Sequence, residues 1–292
     1  MARFGLALMW LLRLLPGSVL AALGNVFGSV LYALARERRT VCRINLERCF
    51  PDLSPTEREA MARRHFGFFA RSLLDRGVLW WSSRATIMKR IDVAGLEHLR
   101  AAQAAGPVIL FAPHFVGLDA GWTRLTCEFD LASVYANQKS RVMNDALYNG
   151  RMRFGSQRLF SRQEGIRPAL SALKDGVPFY YLPDMDYGPR DALFVPFFGV
   201  PAATITGLAR LARLGGKDGA ARVVPCVTRM LPGGRYELRC HPAWDNYPGD
   251  DIEADTRRMN EFIEQRVREM PEQYLWTHKR FKTRPPGEAR WY

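Results

Sequence analysis

From residue 91 onward the chain alternates short, almost wholly apolar runs with segments of helical spacing, and this alternation restricts it to an α/β fold. The runs lie at 107–112 (PVILFA), 131–136 (LASVYA), 177–183 (VPFYYLP), 193–198 (LFVPFF), 222–229 (RVVPCVTR) and 235–240 (RYELRC). These are the candidate strands, and as a set they are near-continuously apolar, as strands buried on both faces are. Between them, 94–104, 118–127, 141–154, 165–175 and 203–214 read as helices. A further helix at 255–270 places Met259, Phe262, Ile263, Val267 and Met270 at helical spacing. Helices interleaved with buried strands imply a mixed, mostly parallel central sheet flanked by helices.

The stretch before residue 91 has a different texture. Residues 14–35 form 22 consecutive positions without a charge, long enough as a helix to cross a hydrocarbon core of roughly 30 Å. Arg36, Arg38, Arg39 and Arg43 follow it, offset only by Glu37, so the positive-inside rule favours a cytoplasmic C-terminal side. Gly24 and Gly28 make one GxxxG, a signal for close helix packing. A cleaved signal peptide, with Ala33-Leu34-Ala35 as its small-x-small site, fits less well because the stretch is too long and is entered by Arg13 and Pro16. A buried or interfacial helix is the other alternative, and Pro16-Gly17 could break the stretch. The expectation is therefore an N-terminal membrane anchor over 1–35 and one catalytic domain over 36–292. The first part of that domain, 36–90, is a helical lead-in. Pro51–Pro55 is a turn, and Ser54 or Thr56 can cap the helix that follows. The aromatic side of 56–80 reads as core packing in preference to a second membrane-contacting face.

Charge narrows the partners. The chain carries 42 Lys and Arg against 29 Asp and Glu, a formal net charge of +13, and 36 of the bases are Arg. Such an excess suits nucleic acid, membrane headgroups, or phosphorylated and acidic substrates. Five cysteines without a CxxC or zinc spacing argue against a disulfide scaffold and a zinc site.

The sharpest candidate for chemistry is Pro113-His114-Phe115-Val116-Gly117-Leu118-Asp119. It lies between a buried strand and a helix, at the carboxyl edge where open α/β sheets place their sites. His114 is a candidate general base, and Asp119 can reach the imidazole and fix its tautomer if the chain turns into the helix at 117–118. The bland alternative, a satisfied structural His beside a helix-capping Asp, weighs about equally on spacing alone. No Ser elbow or Cys accompanies His114, which points to direct transfer with activation of a substrate hydroxyl. Asp184 and Asp186 form a DxD, either a weak metal site or a polar turn. Two basic segments remain: 139–167, with Lys139, Arg141, Arg151, Arg153, Arg158, Arg162 and Arg167, and His278–Arg284. Arg forks suit phosphate and carboxylate; the plainer reading of both segments is a solvated face.

Taken in order, these motifs resemble the late acyltransferases of lipid A biosynthesis, the lauroyl/myristoyl acyltransferase family of the lysophospholipid acyltransferase-like superfamily. The resemblance runs over nearly the whole chain: the apolar helix, Asn45–Ser54, the His114/Asp119 box, Asn149-Gly150-Arg151-Met152-Arg153, Pro183–Pro189, Phe194–Gly199 and Glu272–Pro285. One departure is Asp119, where family members commonly carry Glu; Asp is usual in the glycerophospholipid branch.

The resemblance implies transfer of a fatty acyl group from acyl carrier protein to a hydroxyl of a phosphorylated lipid A precursor. It implies His114 as base, Asp119 as its orienting acid, and Arg151 as the ligand of substrate phosphate or developing negative charge. Arg153, Asp184 and Asp186 would bind substrate or organise the site. No metal, cofactor or nucleic-acid partner is implied, and the place of action is the cytoplasmic face of the inner membrane. The alternatives are acylation of a glycerophospholipid or another glycolipid, a metal-dependent glycosyltransferase using Asp184 and Asp186, and a basic membrane- or nucleic-acid-binding protein.

Overall fold

The computed structural model describes residues 2–216 and 219–292. The uncharged N-terminal run is not one helix. Its first residues lie in a turn at 13–15 that follows α1 (Ala2–Leu12), Pro16 is the N-cap, and only Gly17–Leu34 is helical, as α2. Helix α2, with 18 residues, is about 27 Å long. Helices α3 (Arg36–Cys49), α4 (Pro55–Trp81) and α5 (Arg84–Arg90) follow. Ser54 rather than Thr56 caps α4: its Oγ accepts the Glu57 N–H at 3.2 Å, and the Glu57 carboxylate accepts the Ser54 N–H at 2.7 Å, a reciprocal capping box.

The GxxxG of α2 has a partner within the chain. A Cβ on Gly24 would sit 2.6 Å from the Arg71 Cβ, and one on Gly28 would sit 2.5 Å from the Gly67 Cα. The two glycines therefore let α2 lie against the backbone of α4. The opposite side of α2 stays open, with Val19, Leu23, Val26, Phe27, Val30 and Leu34 exposed, and α1 adds Phe4, Leu8 and Leu11.

The alternating part contains β1 (Ile91–Ala94), α6 (Leu96–Ala105), β2 (Val108–Phe111), α7 (Leu118–Leu125), β3 (Ala132–Tyr135), α8 (Arg141–Met152), β4 (Arg158–Ser161), α9 (Arg167–Lys174), β5 (Phe179–Tyr181), β6 (Ala192–Phe197), β7 (Val200–Ile205), α10 (Gly207–Gly215), β8 (Arg222–Met230), β9 (Tyr236–Cys240) and α11 (Ile252–Glu269). Seven strands form the central sheet in the order β1-β9-β8-β2-β5-β3-β4. All neighbours are parallel except β8 and β9. The mixed, mostly parallel sheet expected from the apolar runs is present.

Two departures have physical causes. Strands β1 (IDVA) and β4 (RLFS) occupy the two edges, so neither needs a continuous apolar run and neither shows one. The run at 193–198 is a strand, but not one of the central sheet. It becomes β6, which pairs antiparallel with β7 as a separate hairpin, and the helix expected at 203–214 begins only at Gly207. Phe198 (φ 52°) and Gly199 (φ 74°) both adopt left-handed backbone at the hairpin tip, the geometry of a two-residue turn matched to strand twist.

Alternation along the strands divides the interior in two. Ile109, Phe111, Phe179 and Val223 pack in a cluster with α9, α10 and α11; Val108, Leu110, Tyr180 and Val224 pack in one with α6 and α7. Helix α4 serves both: Met61 and Phe66 belong to the first cluster, Val78, Leu79 and Trp80 to the second. It thereby closes one side of the sheet edge at which the loops after β2 and β5 meet.

Candidate active site

The loop after β2 carries His114 and the loop after β5 carries Asp184. Because β2 and β5 are adjacent and parallel, both loops leave the sheet at one carboxyl edge. Asp184, 1% exposed, holds His114 at two points: Oδ2 accepts its backbone N–H at 2.9 Å, and Oδ1 lies 2.6 Å from Nδ1. The Tyr274 hydroxyl donates to Oδ2 at 3.1 Å. Burial alone raises a carboxyl pKa, but the His114 ring and its hydrogen bonds outweigh it, so Asp184 is held below the usual carboxylate range. An ionised carboxylate only accepts, which makes Nδ1 the protonated nitrogen and leaves Nε2 its lone pair. Nε2 has no hydrogen-bond partner among the described residues, and His114 lines a cavity of about 910 Å³.

Asp119 does not take the orienting place expected of it. It accepts from the Arg151 guanidinium at 2.5 Å and lies 3.7 Å from that of Arg76. Burial pushes its carboxyl up, while Arg151 and Arg76 pull it down further, so it too is held low. The residue bonded to the imidazole comes instead from the DxD seventy positions away. The reason is topological: β2 and β5 are neighbours in the sheet, whereas Asp119 has already entered α7 and faces α8 and α4.

Arg151 stands in the cavity wall, and the glycine before it, Gly150, has a packing reason. A Cβ there would lie 2.4 Å from the Trp80 ring, so α8 reaches α4 only with glycine at this position. Arg153, in contrast, faces away from the cavity. Its guanidinium donates to the Leu79 carbonyl at 2.7 Å and to that of Ser82, closing the C-terminal end of α4. Asp186 also lies outside the cavity wall. It accepts from the Gly188 N–H (2.9 Å), the Thr283 N–H (2.6 Å) and the Thr283 hydroxyl (2.8 Å), and its own N–H donates to His278 Nε2. Burial holds His278 neutral, with its pKa lowered to about 4, as suits an acceptor. Neither Arg153 nor Asp186 is placed to touch substrate. The two DxD carboxylates are directed to different protein partners, and no cluster of three or more His, Cys, Asp or Glu suited to a metal occurs among the described residues.

The basic C-terminal stretch is not a solvated face. Arg280, 1% exposed, donates to the Ala203 carbonyl, the Thr204 hydroxyl and the Asn260 amide oxygen. The adjoining chain is laid along the His114 loop: Val116 N–H donates to Gln273 O (2.8 Å) and Leu275 N–H to His114 O (3.0 Å). This strap delivers Tyr274 to Asp184. Tyr274 and Arg76 are the site residues that sequence reasoning missed. Arg76 gave a weaker signal, a charge one turn before Trp80 and two turns after Phe69 on one helical face.

Residues 1–283 match the family of bacterial lipid A biosynthesis acyltransferases. The chain belongs to that family. This acyltransferase is 35% identical over 291 residues to the lipid A biosynthesis palmitoleoyltransferase of Escherichia coli K12, covering 99% of this chain and 93% of that protein. It is 35% identical over 286 residues to the lipid A biosynthesis lauroyltransferase of the same organism (97% and 92% covered). Its identity to the lipid A biosynthesis myristoyltransferase is 33% over 278 residues (94% and 83%). These relatives are named for three different acyl groups at nearly equal identity.

Proposed function

We propose that this acyltransferase moves a fatty acyl group from acyl carrier protein to a hydroxyl of a lipid A precursor, with His114 as general base. The observation that supports this most directly is the Asp184–His114 pair, whose free ring nitrogen opens on the cavity that also holds Asp119, Arg151 and Arg76.

In this mechanism the acceptor hydroxyl sits against Nε2 of His114, which takes its proton as the oxygen attacks the thioester carbonyl. Asp184 keeps the proton on Nδ1 and stabilises the imidazolium that forms. The tetrahedral intermediate carries its charge on the former carbonyl oxygen, which the cavity-lining guanidinium groups of Arg151 and Arg76 stabilise. Collapse breaks the carbon–sulfur bond, and the imidazolium returns the proton to the leaving thiolate. The products are the new ester and the free thiol of the carrier. Asp119 acts through Arg151 by fixing its guanidinium, and its carboxylate stays ionised while doing so. The shorter Asp in place of Glu is accommodated because the partner to be reached is a long arginine rather than the imidazole.

The open apolar faces of α1 and α2 would hold the enzyme on the cytoplasmic face of the inner membrane, where a long-chain acceptor resides. The test supplies the purified protein with acyl carrier protein thioesters and a panel of acceptors, a tetra-acylated lipid A precursor and lysophosphatidate among them. Mass spectrometry should show one added acyl group on the precursor and none with His114→Ala. Acylation of lysophosphatidate alone would refute the acceptor, and an active His114→Ala protein would refute the base.

A further inference from the structure

The cavity does not end at the reaction centre. Along the same sheet edge it is lined by Arg162, directly after β4, by Arg190, in the loop after β5, and by Arg210, in α10. Among the described residues, the carboxylate of the wall that meets these guanidiniums is Asp191, paired with Arg210 at 3.1 Å. Arg162 lies over the Tyr187 ring, 4.5 Å from its centroid, a contact that uses none of its donors. Neither Arg162 nor Arg190 makes an ion pair or side-chain hydrogen bond among the described residues. In the same stretch Arg158 is engaged with Asp175 and Arg151 with Asp119, whereas Lys139 and Arg167 lie outside the cavity wall.

We infer that Arg162, Arg190 and Arg210 form a phosphate-binding subsite at the exposed rim of the cavity, separate from the cations that serve the reacting carbonyl. Three guanidiniums and one carboxylate leave an excess of two positive charges, the complement of a phosphomonoester carrying about −1.5 to −2. Planar guanidinium forks match its oxygens pairwise. The position also fits. Strand β4 is three strands from β2, so Arg162 lies about 14 Å along the edge from the His114 loop. A phosphorylated sugar bound there would direct its acyl hydroxyl toward Nε2. The inference rests on the lipid A precursor as acceptor. The pantetheine arm of the donor also carries a phosphate, a singly charged diester on the carrier and a monoester in free phosphopantetheine, and the experiment separates the two sources.

The test is equilibrium binding to the intact protein in detergent, by titration calorimetry. The probes are a bisphosphorylated tetra-acyl glucosamine disaccharide, its fully dephosphorylated counterpart, and phosphopantetheine. The Arg162→Gln/Arg190→Gln protein should bind the bisphosphorylated disaccharide about 10- to 100-fold more weakly, the range for loss of charge-assisted hydrogen bonds. Its affinity for the dephosphorylated disaccharide should be unchanged. Arg141→Gln, which removes a charge from the exposed face of α8, should bind all probes as the parent does, and Arg162→Lys/Arg190→Lys should recover part of the loss. A loss confined to phosphopantetheine keeps the subsite and moves it to the donor. Equal affinity of parent and Gln variant for every phosphorylated probe overturns the subsite. Turnover is measured separately, so a parent protein that binds the disaccharide but never acylates it refutes the proposed reaction and leaves the subsite standing.

Discussion

Replacing Asp184 with Asn separates the two carboxylates that compete for the role of orienting acid. The carboxylate accepts three hydrogen bonds, from the His114 backbone, from Nδ1 and from the Tyr274 hydroxyl. An amide of the same shape offers one acceptor oxygen and one NH₂. If the oxygen stays with the backbone N–H, the NH₂ faces Nδ1 and drives the proton to Nε2, so the ring can no longer act as base. In Ser-His-Asp hydrolases the same exchange lowers kcat about 10⁴-fold through the wrong tautomer. That corresponds to about 5.5 kcal/mol, and a fall of about 10³- to 10⁴-fold is expected here. The assay is single-turnover acyl transfer at saturating acceptor, with thermal unfolding run alongside. One weakened charge-assisted bond at a buried site costs about 1.5–3 kcal/mol of stability, so the variant must first be shown to be folded at the assay temperature. Asp119→Asn should lose less, since His114 keeps its partner and only the anchor of Arg151 weakens. A folded Asp184→Asn protein within tenfold of the parent, beside an Asp119→Asn protein reduced 10³-fold or more, would reverse the assignment.

The N-terminal packing makes a second prediction. Gly28→Val drives a side chain into the Gly67 backbone and should lower the melting temperature by roughly 2–10 °C, as overpacking by about 1–3 kcal/mol does in a chain of this size. Val26→Ser, on the open face of α2, should leave the melting temperature unchanged and weaken retention on anionic vesicles in a flotation assay. A third prediction concerns pH. His65 is fully buried in α4, its Nδ1 lies 3.0 Å from the Glu272 carbonyl, and burial lowers its pKa to about 4. The unfolded chain takes up that proton as pH falls through about 6.5, so the His65 contribution is complete above 6.5 and is lost as pH falls toward 4, by about 2 kcal/mol at pH 5. Chemical denaturation between pH 7 and pH 5 should show a shallower loss in His65→Gln than in the parent, and parallel curves would count against a neutral buried ring.

The fold was legible wherever burial on both faces forced a continuous apolar run. Whereas β9 (YELRC) keeps Glu237 and Arg239 on its less buried face, strands β2, β3, β5 and β8 announced themselves in that way. Strands β1 and β4 did not, because an edge strand meets the core on fewer sides and tolerates Asp92 or Arg158. The β6–β7 hairpin imitated a sheet strand followed by a helix. Its composition is that of a buried strand, and only the left-handed pair Phe198-Gly199 marks the turn. The Gly24/Gly28 pair signalled close packing correctly but could not name its partner. A glycine stripe fits a lipid-buried neighbour and a helix of the same chain equally well, and here Gly67 on α4 supplies the match.

The site divides along the same line, between what local spacing controls and what strand order controls. His114 and Arg151 could be read because each sits in a short motif beside a recognisable element. Pairing could not be read, because the partner of His114 depends on β5 lying next to β2 while β3 and β4 intervene in sequence. The five-residue spacing to Asp119 is close enough to suggest contact, yet by Asp119 the chain has turned into α7 and the carboxylate faces the guanidiniums of α4 and α8. The two acids therefore hold different partners: one fixes a proton on an imidazole, the other fixes a cation beside the same cavity. An acid that anchors a flexible arginine can vary in length, since the arginine adjusts, whereas an acid clamping both the ring and the backbone of one histidine cannot. By that argument Asp119→Glu should be among the mildest changes in the site, and Asp184→Glu, with one methylene too many inside a 1% exposed clamp, among the most severe.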